Sequence, residues 1–255
     1  MRRRSAIGLI GGLAGLAALA FLLVPPIPQD PAYHRLADSR SWLGIPNVLN
    51  VVSNAGFLLV GGLGLAFVAG GRGGARTSRE PAERWPYVVF FGGLLLTGFG
   101  SAYYHWEPGN ARLAWDRLPL AISLMGLLAA TITERVGVKA GSWLLGPLIA
   151  VAAASVIYWH WTEQRGAGDL RLYALVQFYP VVAIPLMLWW LPPRYTRGGD
   201  LLATAATYAA ARVPELLDGW ILSATRVVSG HTLKHLLAAL AGYWVLHMLR
   251  HRRPV

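Results

Sequence analysis

The sequence predicts an all-α protein: a polytopic membrane helix bundle with a seven-helix core and one extra N-terminal helix. Three observations predict it. Of 255 residues, 55% are hydrophobic and only 14% charged, with a mean hydropathy of +0.45, which leaves too little polar surface for a soluble globule of this size. Apolar runs close to the ~20 residues that a bilayer core requires recur along the chain. They are far longer than the alternating segments of a membrane barrel, and helices and closed barrels alone satisfy their backbone polar groups in lipid. Finally, the basic residues behind the formal net charge of +11 sit in short segments between these runs, so membrane topology explains them better than a nucleic-acid surface does.

Eight spans are expected, at roughly 5–24, 46–69, 85–106, 118–136, 141–161, 172–191, 200–222 and 231–249. The first follows Met-Arg-Arg-Arg and contains Ala18-Leu19-Ala20, a pattern that also fits a cleaved signal peptide. Because its apolar stretch runs on through Val24, a retained anchor is the preferred reading. Residues 1–45 then form the anchor and an outer segment, and 46–255 the seven-helix domain. The segment 70–84 reads as a flexible basic loop. Gly98, Gly100, Pro180 and Pro185 read as ordinary packing residues of membrane helices. The seventh span is interrupted by Arg212, Glu215 and Asp218, so it must turn a polar stripe toward the protein interior.

Orientation follows from counting bases in the alternate connections. One side receives fourteen: Arg2, Arg3, Arg4, Arg72, Arg76, Arg79, Arg84, Arg135, Lys139, Arg194, Arg197, Arg250, Arg252 and Arg253. The other receives seven: Arg35, Arg40, Arg112, Arg117, Arg165, Arg171 and Arg226. The positive-inside rule then puts both termini in the cytoplasm and the 25–45, 107–117, 162–171 and 223–230 segments on the outer, periplasmic or luminal, face.

Ionisable side chains inside a membrane are expensive and mark candidate sites. Three clusters stand out at one expected depth near the outer face. Ser101 and His105 share a face of the third span at i, i+4; Asp116 opens the fourth; His231 and His235 open the eighth, again at i, i+4. With no cysteine in the chain, a transition metal must be held by imidazole and carboxylate groups. His231, His235 and His105 form the three-ligand set of a zinc site with a fourth position for water. Structural alternatives exist for each: interfacial histidines, Ser101 bonded back to the carbonyl of residue 97, and Asp116 paired with Arg112 or Arg117. His34, His160, His247 and His251 have no such company and read as surface or interfacial. Trp85, Trp106, Trp159, Trp161, Trp189 and Trp190 lie near span ends and read as an aromatic belt.

Across about residues 46–250 the chain resembles the alkaline ceramidase family, within a superfamily of seven-helix membrane hydrolases that also includes the adiponectin receptors. The marks are Asn50-Val-Val-Ser53-Asn54, Ser101-x3-His105, Asp116, Tyr173 followed by Tyr179-Pro180, Glu215 with Asp218, and His231-x3-His235. The resemblance implies zinc on His105, His231 and His235, Ser101 and Asp116 beside the activated water, Tyr173 as an oxyanion donor, and a ceramide-like membrane lipid as substrate. It also implies a calcium site before the first core helix. The acidic position there is Asn47 in this chain, with only Asp30 and Asp38 upstream, which argues against calcium. Two rival functions stand beside the amidase: a receptor or sensor with a structural zinc, and a hydrolase of another lipid ester or amide.

Overall fold

The computed structural model describes residues 3–70 and 78–255. Arg2, Arg72 and Arg76, counted above, and residues 71–77 of the 70–84 loop lie outside the described residues. Among the described residues the chain is helical throughout, with two isolated β-bridges, Trp42 to Ile45 and Tyr195 to Pro254, and no strand.

In chain order the helices are α1 (Arg3–Leu23), α2 (Val48–Val52), α3 (Ala55–Ala69), α4 (Arg84–Trp106), α5 (Asn110–Arg135), α6 (Val138–Gln164), α7 (Arg171–Trp190), α8 (Gly198–Ala210), α9 (Arg212–Leu216), α10 (Asp218–Thr225) and α11 (Gly230–His251). Short 3-10 turns at Pro31–His34 and Pro81–Glu83 precede α2 and α4. Five segments are long and apolar enough to cross a membrane: Val48–Ala69, Pro81–Trp106, Asn110–Arg135, Val138–Gln164 and Arg171–Trp190. This is the pattern of a membrane protein. The three other expected spans differ for separate reasons. The described apolar stretch of α1, Gly11–Leu23, is short. The seventh is broken into α8, α9 and α10. The last, α11, carries His231, Lys234, His235 and Arg250, which lower its hydropathy.

The breaks have local causes. Pro214 lacks a backbone N–H and its ring crowds the carbonyl four residues back, so α8 ends at Ala210. Between α2 and α3, Ser53 Oγ donates to Asn50 O at 3.1 Å and Asn54 Nδ2 donates to the same carbonyl at 2.8 Å, drawing it out of the helical ladder. Large apolar side chains such as Leu59, Leu96, Phe99, Ile157 and Trp189 are exposed around the bundle, a surface suited to lipid rather than water.

Helix α5 is the most enclosed of the spanning helices and packs against α4, α6 and α7. Its approach to α4 is set by Gly100, where a Cβ would lie 2.1 Å from the Trp115 carbonyl oxygen. Gly100 is therefore more than a generic packing residue: it lets the helix turn bearing Ser101 touch the turn bearing Asp116. Gly230 plays the same part at the start of α11, where a Cβ would meet Pro214 O at 1.8 Å.

At the opposite end of the bundle, Glu134 of α5 accepts from Tyr87 and Arg252, and Glu83 accepts from Tyr195 and pairs with Arg194 at 2.8 Å. Residues of the C-terminal part of the 70–84 loop belong to this cluster. Arg79 donates its backbone N–H to Tyr195 Oη at 2.8 Å and its guanidinium to Val255 O at 2.6 Å. The loop's C-terminal flank is thus tied down, contrary to the reading of the whole segment as a free linker.

Candidate metal centre and its cavity

The last turns of α4 and the first turns of α11 meet at one end of the bundle. On α4 the i, i+4 spacing turns Ser101 and His105 inward together, both buried. On α11, Ser229 caps the helix by accepting from Thr232 N at 3.2 Å, and Asp218 Oδ1 accepts from His231 N at 2.7 Å. That double anchoring fixes the rotation of α11, so His231 and His235 face His105.

The three imidazoles converge by their Nε2 atoms. His105 Nε2 lies 3.1 Å from His235 Nε2 and 3.2 Å from His231 Nε2, and the ring centroids form a near-equilateral triangle of 4.7, 4.7 and 4.9 Å. A proton on one nitrogen satisfies one neighbour and leaves the third facing a lone pair or another proton, whereas a cation accepts all three lone pairs. Nitrogens about 2.0–2.1 Å from a tetrahedral ion stand roughly 3.3 Å apart, close to the separations observed. Among the described residues this trio is a group able to hold a metal ion.

Neighbouring groups prepare the trio for that role. Ser53 Oγ, whose proton goes to Asn50 O, lies 2.8 Å from His235 Nδ1. The ring therefore carries its proton on Nδ1 and presents an unprotonated Nε2, the usual arrangement for an imidazole ligand. Asn50 in turn accepts from Thr232 Oγ1 at 3.1 Å and donates to Asp38 O at 3.0 Å. Asn47, in the left-handed region at φ 47°, donates to His105 O at 2.8 Å. Asn47 thus secures the helix end that carries His105. Asp30 Oδ1 accepts from Ala32 N, and Asp38 is engaged by Arg40, which holds its carboxyl below the usual range.

A cavity of about 270 Å³ opens beside the trio, lined by Ser101, Asp116, Arg117, Tyr173, Lys234 and His235 among others. The structure thus brings Ser101, Asp116 and Tyr173 to the same space as His235. Ser101 and Asp116 stand close together in the cavity wall. The alternative partners are occupied elsewhere, since Arg112 pairs with Glu107 at 2.5 Å and Arg117 donates to Gln29 Oε1 at 2.6 Å.

Several residues here escaped the sequence reading. Gln29 and Tyr33, from the outer segment assigned to the anchor, line the cavity. His34, read as a surface residue, lies 3.1 Å from Tyr104 Oη and 2.8 Å from Asn110 Oδ1, bracing the residue that precedes His105. Trp159, read as part of an aromatic belt, is fully buried behind the cavity with Arg117 4.1 Å from its ring. An arginine next to an intramembrane aspartate was the one signal that could have found Arg117. Ser53 lies within the Asn50-Val-Val-Ser53-Asn54 stretch, but only the folded chain assigns it to His235. No protein-family model and no curated protein matches the chain.

Proposed function

We propose that the protein is a zinc-dependent intramembrane amidohydrolase that cleaves the N-acyl bond of ceramide-like lipids to a sphingoid base and a fatty acid. The observation that carries this reading is the buried triangle of His105, His231 and His235, of which His235 borders one cavity together with Ser101 and Asp116. An all-nitrogen set of three histidines suits zinc and leaves it an open position. Zinc held there would supply water activation near neutral pH and polarisation of an acyl carbonyl.

The chain's own residues divide the remaining work. Asp116 accepts a proton from the attacking water and returns it to the leaving nitrogen, which an amide requires because its free anion is a poor leaving group. Ser101 holds that carboxylate in place. The Tyr173 hydroxyl donates to the oxygen that gains charge as the carbonyl carbon becomes tetrahedral. Exposed apolar side chains and the long helices support a substrate that arrives from the bilayer with its polar head at the histidine end. We place that end at the outer face, both termini in the cytoplasm, and the helices as a seven-span core with α8 to α10 acting as one broken span after an anchoring α1.

The test combines elemental analysis of purified protein with mass spectrometry of ceramide incubations. One zinc per chain, turnover abolished by chelation, and loss of turnover with zinc retained in Asp116→Ala are the expected results. Full turnover after complete zinc removal would overturn the proposal. A closed site with a fourth protein ligand would instead favour a receptor with structural zinc, and turnover of esters alone would favour the other hydrolase reading.

A further inference from the structure

A buried guanidinium without a counter-ion stands in the cavity wall. Arg117, next to Asp116 on α5, is 6% exposed. Its Nη2 donates to Gln29, while Nη1 is buried without an acceptor. Its Cζ lies 4.1 Å from the Trp159 ring centre, 4.8 Å from that of Tyr173 and 5.6 Å from that of Tyr33. The aromatic faces offset part of the cost of taking this cation out of water, but they supply no acceptor for the remaining N–H and no negative charge. Removing an arginine from water without an ion pair is strongly unfavourable. Among the described residues no carboxylate forms an ion pair with it.

The charges around the cavity do not sum to zero. Lys234 and Arg212 both pair with Glu215, and the Asp116 carboxyl is shared between the fields of Lys234 and Arg117. Three cations against Glu215 and Asp116 leave one formal positive charge, in a partly enclosed space where charges act strongly. A guanidinium held between rings with an N–H to spare is suited to the planar oxygens of a carboxylate or phosphate.

We propose that Arg117 is the anion-binding group of this cavity, pairing with an acidic group carried by an N-acyl lipid. The inference deepens the amidase reading and rests on it for the N-acyl class. Within the ceramide-like N-acyl class it adds a preference for members bearing a carboxylate or phosphate near the scissile bond. The carboxylate of the released fatty acid is a second source of the same chemistry.

Binding is tested apart from turnover by thermal shift of the detergent-purified protein with N-dodecanoylglycine, its neutral methyl ester, and dodecanoate. The acid is expected to bind on the order of ten- to a hundredfold more tightly than the ester, the range of a hydrogen bond to a charged group. Arg117→Met should erase that difference while leaving ester binding in place, and Arg117→Lys should retain part of it. Dodecanoate binding as tightly as N-dodecanoylglycine, with the same dependence on Arg117, identifies the product carboxylate as the partner. Preference for the N-acylglycine identifies the head group. Equal affinity of the wild-type protein for acid and ester overturns the inference even if no variant folds, as does an acid preference that survives in Arg117→Met. Because no step here requires hydrolysis, absence of amidase activity would sink the functional reading and leave the anion site standing.

Discussion

At the scale of single residues, the trio depends on which nitrogen of each imidazole carries the proton. Ser53 decides this for His235, because its hydroxyl proton is committed to Asn50 O and its oxygen is left to accept from Nδ1. Outer partners of this kind typically change metal affinity by about ten- to a hundredfold. Ser53→Ala should therefore weaken zinc binding by roughly that factor in a competitive chelator titration, with Ser53→Thr close to wild type. Affinity unchanged in the alanine variant would show that the ring is oriented by packing alone, through contacts such as Phe57, 6.2 Å away centre to centre.

At the scale of elements, the site exists because α4, α5 and α11 approach closely at glycines. A Cβ at position 100 would collide with the Trp115 carbonyl, and backbone cannot retreat as a side chain tip can. Gly100→Ala should force α4 and α5 apart, costing about 1–3 kcal/mol and separating Ser101 from Asp116. The melting temperature should fall, and on the proposed amidase reading ceramide turnover with it, while metal content is retained because His105 and α11 are not displaced from each other by this contact. The start of α7, which delivers Tyr173, has a different anchor. Asp169 accepts from Arg171 N, Arg171 Nε and Tyr158 Oη, and the Arg171 guanidinium holds its carboxyl at about 2. A carboxyl depressed in the folded state contributes stability that is present above its unfolded value near 3.8 and is lost as pH falls toward 2. Melting temperature should thus be level from pH 7 to 5 and drop between pH 4 and 2; Asp169→Asn should flatten that acid limb.

For the whole molecule, the bundle is fastened at both ends by unlike means. The histidine trio joins α4 to α11 at one end, and Glu134 with Arg252 and Tyr87 joins α5, α11 and α4 at the other. Zinc present at about a thousandfold its dissociation constant would add about 4 kcal/mol to the folded state. Chelation should therefore lower the melting temperature by several degrees, reversibly on adding zinc. Glu134→Ala should destabilise by about 3–5 kcal/mol through loss of a buried ionic partner while leaving zinc stoichiometry intact, since the two fastenings are separated by the length of α11.

These two ends mark the boundary between what was legible in the chain and what was not. Apolar run length placed most helix ends within a few residues, because the cost of exposing backbone to lipid acts on each segment alone, but α5 begins at Asn110 where a start near 118 was expected. The i, i+4 spacings of Ser101 with His105 and of His231 with His235 announced a shared face, because helical periodicity is local. Arg117, Trp159, Gln29, Tyr33 and Ser53 were not legible in their roles, and the seventh span was drawn whole where Pro214 breaks it. By itself the sequence determined an α-helical membrane class and the residues able to bind a metal. The tertiary structure alone decided that the Nε2 atoms of His231 and His235 meet that of His105 within 3.2 Å and that Arg117, outside any ion pair, shares a cavity with His235, because such distances depend on helix rotation and close approach between segments far apart in the chain.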